Sequence, residues 1–228
     1  MNFSIDSNIV IGLANTKDRI HLKSVLLMEH RLNDQFFLCD AVLKESQTLF
    51  RNSINRIITE IIIKLIPFNQ NKDHSKLAFQ ELLINTFKEM RLTNPRMYNF
   101  LELVYDEITI FLKDNGLEML PSFLSQLSLK YSQQLYRKIE NAHPGTINII
   151  QIEHNNLKSI KEKTSGTYFK DSKDERIYFE LMTNLPSLVP IVFYTADKEF
   201  WKKINQSYSA CTKHFGYSES SFSCEIID

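Results

Sequence analysis

Glycine and proline are scarce, with five and six among 228 residues. So few turn formers exclude a hairpin-rich all-β architecture and leave long stretches free to run as helix. Cysteine is scarcer still. Cys39, Cys211 and Cys224 show neither metal-binding nor redox spacing, which excludes a disulfide framework and points to a reducing compartment. Neither charge sign prevails, because Lys plus Arg and Asp plus Glu are both 27, so local patches would have to hold any nucleic-acid partner. No apolar run is long enough to span a membrane. The longest, "INRIITEIIIKLI" from 54 to 66, carries Arg56, Glu60 and Lys64 along one helix face, the pattern of an amphipathic helix. No glycine-rich Lys-Ser/Thr loop exists to cradle a nucleotide phosphate. The opening "MNFSIDSNIV" reaches an acid at position 6 and has no room for a secretory signal. The chain is therefore expected to start as it stands and to be cytoplasmic.

What is present is 43% hydrophobic content, enough for one full core or one core with an insertion. Strand candidates are few and short: 2 to 6 ("NFSID"), 36 to 39 ("FFLC"), 147 to 152 ("INIIQI"), 190 to 195 ("PIVFYT") and a weaker "SCEIID" at the C-terminus. Helical segments separate all of them. That alternation predicts an α/β fold, a parallel sheet of four or five strands flanked by helices, with ligands at the carboxyl ends of the strands. Between the second and third candidates, helices are expected over about 40 to 65, 75 to 91, 96 to 113 and 121 to 142. Breaks are expected at Pro67 with "NQNKDHS", at "TNPR", at "KDNGLEMLPS" and at "AHPG". Residues 67–143 read as a helical insertion between two parts of the core, 1–66 and 144–228. The polar stretch 158 to 176 should contain an exposed loop around Ser165 and Gly166; its lysines either touch phosphates or are simply solvated.

Four acids stand out. Asp6 ends the first strand candidate, as a site residue or as the cap of the helix that follows. Glu45 shares a helical face with Ala41, Val42 and Leu49, placing a carboxylate on the core-facing stripe, where it needs a partner. Asp174 shares a face with Ile177, Tyr178 and Leu181; Asp171, one turn earlier, is a reserve candidate, and either acid could be a cap. Asp197 follows the fourth strand candidate, with the Thr195 hydroxyl nearby, and could cap the next helix. Each has a purely structural reading, but parallel-sheet geometry brings all four to one rim. There they would repel one another and hold protons unless a hard divalent cation, magnesium or manganese, neutralises them.

In order and local context, "IDSNIVIGL", "CDAVLKES", "DERIYFELM" and "VFYTADKEF" resemble the motif regions of PIN-domain nucleases. "INIIQIEHNNLKSIKEK" is similar to that family's third strand and following helix. The resemblance covers roughly 1 to 62 and 145 to 205. It implies that Asp6, Glu45, Asp174 and Asp197 form a catalytic, metal-holding quartet, with Asn8 and Thr195 as orienting neighbours. Ser7 stands where the family often has Thr. The simple toxin members are much shorter and lack a segment like 67–143. The implied activity is Mg2+- or Mn2+-dependent hydrolysis of RNA by water, leaving 5′-phosphate ends. No histidine base is needed, and His21, His30, His74, His143, His154 and His214 all lie outside the motif regions. The expected substrate is single-stranded RNA, with a possible protein partner through the helical insertion and no membrane. Trp201, Lys198, Lys202 and Lys203 could guide a strand; equally, Trp201 could pack in the core and the lysines be solvated. The alternative is a non-catalytic PIN-like module that binds RNA or protein. A phosphotransferase using Asp6 as nucleophile is a distant third, since it would want an aspartate where Asn8 stands.

Overall fold

The computed structural model describes residues 1–70, 75–93 and 97–227. The expected breaks in "NQNKDHS" and "TNPR" fall largely on 71–74 and 94–96, outside the described residues. The chain forms two compact units, one of Met1–Ala14, Ile20–Ser46 and Tyr136–Asp228, the other of Asn15–Arg19 and Gln47–Leu135.

The first unit is α/β. Its strands β1 (Asn2–Ile5), β2 (Gln35–Cys39), β3 (Ile147–Ile150), β4 (Ile191–Thr195) and β5 (Phe222–Ile226) form one sheet in the order β3-β2-β1-β4-β5. Every pairing is parallel. Helices connect the strands, because a parallel neighbour cannot be reached by a tight turn. They include α1 (Ser7–Ala14), α2 (His21–His30), α3 (Asp40–Gln70), α7 (His154–Lys163), α8 (Ser172–Thr183), α9 (Leu185–Leu188) and α10 (Lys198–His214). All five residues of β4 are buried, as expected where both sheet faces are covered. Phe3 and Phe36 stack at 4.8 Å between ring centroids, with His143 edge-on to both. Phe193 of β4 meets Phe200 of α10 edge-on at 5.8 Å.

Strand order places the site. From β1 the chain moves outward through β2 to β3, then crosses back to lay β4 on the other side of β1. The order therefore reverses between β1 and β4, the position at whose carboxyl ends open α/β sheets bind ligands. The register pairs Ile5 with Tyr194, so the residues that follow, Asp6 and Thr195, come out side by side.

The second unit is helical: the rest of α3 with α4 (Lys76–Thr93), α5 (Tyr98–Asp114) and most of α6 (Leu120–Ala142). Along α3, Ile54, Ile57, Ile61 and Leu65 are buried while Arg56, Glu60 and Lys64 are not, so the amphipathic reading of this segment holds. Phe50 of α3 meets Phe100 of α5 edge-on at 5.3 Å. Two expectations are corrected here. Helix α3 runs through Pro67 to Gln70 instead of breaking there. Proline deprives the carbonyl of residue 63 of its helical partner, and Ile63 lies on the exposed side of the helix. Leu49 is also exposed, so the apolar stripe of α3 turns away beyond Glu45 and continues through Phe50 and Ile54. Among the described residues no helix is long and apolar enough to cross a membrane.

Candidate functional site

Asp6 is the best-held acid. It caps α1, its Oδ1 accepting the Ile9 backbone N–H at 3.0 Å. Its Oδ2 accepts the Thr195 hydroxyl and, at 3.3 Å, the Ala196 N–H. The nearby Asn8 side chain also favours the charged carboxylate. Asp6 is thus both a cap and a rim acid, and only 2% exposed. Burial outweighs those bonds and raises its pKa to about 6.

Asp197 sits at the tip of β4. Its backbone N–H donates to the Thr195 hydroxyl oxygen at 2.9 Å, while its Oδ1 caps α10 by accepting Glu199 N–H at 2.7 Å and Phe200 N–H at 3.0 Å. Thr195 therefore joins the two acids: its hydroxyl donates to Asp6 and accepts from the Asp197 backbone. Alanine there would leave Asp6 without its side-chain donor from β4.

Glu45 projects from the second turn of α3. Its partner is Lys173, whose Nζ lies 3.4 Å from Oε1. Asp171 is the cap of α8, its Oδ1 accepting Lys173 N–H at 2.9 Å. Asp174 is half-buried in the first turn of that helix, on the face with buried Ile177, Tyr178 and Leu181. Burial raises its pKa to about 7, and the charges of Asp171, Asp197, Glu45 and Asp6 all push the same way. One carboxyl thus senses the other three of the expected quartet, together with the reserve candidate Asp171.

These acids share a rim and a field. Their hard oxygen donors fit magnesium or manganese in chemical type. Among the described residues, however, no three His, Cys, Asp or Glu side chains stand together at metal-holding distance. Asp6 and Asp197 are engaged by backbone donors and Glu45 by Lys173.

A neighbouring network was not anticipated from the sequence. Glu180 of α8 is fully buried, accepting the Ala41 N–H at 2.9 Å on Oε2 and Arg176 Nε at 3.2 Å on Oε1. Arg176 also reaches Asp40 Oδ2 at 3.1 Å, and Lys44 meets the same oxygen at 2.7 Å. The network fixes α8 against the start of α3, the helices that carry Asp174 and Glu45. Arg176 and Glu180 at i, i+4, with the glutamate inside an apolar run, were the available signal.

Trp201 is a packed residue: its indole N–H donates to the Cys224 carbonyl at 2.9 Å. A cavity of about 330 Å³ lies within the helical unit, lined by Lys17, Phe87, Lys88, Tyr105 and neighbours, and includes none of the rim acids. No family model, curated protein or solved structure matches the chain.

Proposed function

We propose that the protein is a PIN-type ribonuclease that uses a divalent cation to hydrolyse phosphodiester bonds of single-stranded RNA. The observation that carries this reading is the setting of Asp174, a carboxyl pushed towards neutrality first by burial and then by the charges of Asp171, Asp197, Glu45 and Asp6, beside the reversal point of a parallel sheet. Acids so arranged destabilise the fold unless a cation offsets them, which favours a functional origin.

Asp6, Glu45, Asp174 and Asp197 would hold Mg2+ or Mn2+. Bound there, the ion would supply an activated water and stabilise charge on the leaving oxygen. The chain's own residues supply the positioning. Thr195 holds Asp6 by donating to it, Asn8 nearby favours its charged form, and the backbone of Asp197 is held in turn by the Thr195 oxygen. To hold such an ion Glu45 would have to give up Lys173, its half-exposed partner. Asp171 caps α8 through Oδ1 and adds its charge to the field at Asp174.

The test is cleavage of a 5′-labelled single-stranded RNA by purified protein with Mn2+, Mg2+ or chelator. The expected outcome is cutting with either ion, none with chelator, and products carrying 5′-phosphate, as attack by water requires. Cutting that persists in chelator, or cyclic-phosphate ends, would remove this reading.

A further inference from the structure

The segment from Thr164 to Asp171, between α7 and α8, holds two adjacent aromatics with opposite fates. Phe169 is inserted: its ring lies 5.0 Å from that of Tyr178 and 6.2 Å from that of Phe200. Tyr178 stands one turn beyond Asp174 on α8, and Phe200 stands three residues beyond Asp197 on α10. Phe169 thus ties the segment to the two helices that carry two of the rim acids. Tyr168, beside it, is 71% exposed. Lys170 is exposed as well, and Lys173 brings its ammonium to Glu45. An acidic rim repels a phosphate backbone, so a polyanion has to approach along whatever cations border the acids.

We propose that residues 168–173 form the edge on which single-stranded RNA is seated, Tyr168 stacking on a base while Lys173 exchanges Glu45 for a backbone phosphate. The proposal rests on the ribonuclease reading and adds the substrate-holding residues to it. Stacking on an exposed ring suits unpaired bases, whose faces are open, and excludes a duplex, whose faces are covered. Lys173 then has two roles, as counter-ion to Glu45 in the resting protein and as phosphate contact in the complex.

The test is fluorescence anisotropy of a labelled single-stranded oligouridine, titrated with full-length protein in chelator so that no cleavage occurs. Tyr168→Ala should weaken binding about tenfold, since a base stacked on an aromatic side chain contributes on the order of 1–3 kcal/mol. Tyr168→Phe, which keeps the ring, should stay within about twofold of the parent. Lys173→Met should weaken binding and lower the salt slope by about 0.7, the value for one single-strand phosphate contact. Lys213→Ala, at an exposed lysine paired with Glu219, is the control and should bind as the parent does. Thermal midpoints should be unchanged for the Tyr168 variants, because the side chain is exposed.

Parental affinity in Tyr168→Ala, equal competition by duplex RNA, or no binding by the parent would each overturn the proposal. A parent that binds in chelator and never cuts with Mn2+ would instead remove the ribonuclease reading and leave this edge standing.

Discussion

Asp174→Asn should lower metal-dependent RNA cleavage by on the order of 10² to 10³-fold and, at the same time, stabilise the metal-free protein. Loss of activity follows because an amide removes one of the charges that would hold the cation. Gain of stability follows from the field: burial and four like charges act on this carboxylate. Its pKa is raised from 3.8 to about 7, so the folded protein binds the proton more tightly than the unfolded chain does. The ionised form therefore costs stability. That cost is absent below about pH 4, grows as pH rises, and is complete above about pH 7. Solvent screening around a half-buried group reduces it to about 1–2 kcal/mol. Urea unfolding of parent and variant at acid and alkaline pH checks this. The midpoints should agree near pH 4 and separate, with the variant higher, near pH 8. An inactive variant that is also less stable at alkaline pH would make Asp174 an ordinary structural acid.

Mn2+ should stabilise the parent strongly above neutrality and weakly in acid. Protons and the cation compete for the same oxygens: Asp6, pushed to about 6, and Asp174, pushed to about 7, are both protonated at about pH 5. Affinity should therefore climb as pH rises through 6 to 7 and level off near 8. Ion at a hundredfold excess over its dissociation constant adds about 2.7 kcal/mol, which for a chain of this size raises the thermal midpoint by about 5–10 °C. Chelator should reverse the shift, and Asp174→Asn should abolish most of it. A midpoint indifferent to Mn2+ at every pH would leave the acids without a cation to hold.

Most of the sheet could be read from the sequence because its strands are short apolar runs bounded by polar residues, in a chain otherwise patterned for helix. The C-terminal strand was the faintest signal. It is an edge strand paired only with β4, and Glu225 is exposed within it. The end expected for α3 falls short of Gln70 because proline's local penalty is visible in sequence, whereas the surroundings that let the helix pass Pro67 are not. The acids were legible one at a time, as carboxylates at strand ends or on apolar helix faces. What joins them was not. The hydroxyl bridge from Asp6 through Thr195 to the Asp197 backbone depends on the β1–β4 register, and the Lys173–Glu45 pair joins residues 128 positions apart in the chain (173 − 45). Glu180 was missed for the same reason, since its partner is the N–H of Ala41 at the start of a distant helix. Trp201 shows the limit from the other side. Its neighbours suit strand binding, yet its indole N–H is taken up by the Cys224 carbonyl, while Tyr168, on the segment before α8, has its ring exposed.

Titration of the metal-free protein with Mn2+ at about pH 8, followed by electron paramagnetic resonance of the free ion, separates a cation site from a cluster of structural acids when parent and Asp174→Asn are compared. Binding should be saturable in the parent, competed by Mg2+, lost in the variant, and weakened in acid as Asp6 and Asp174 take up protons. Parent and variant binding Mn2+ alike, or neither binding it, would contradict the claim that these acids form a cation site.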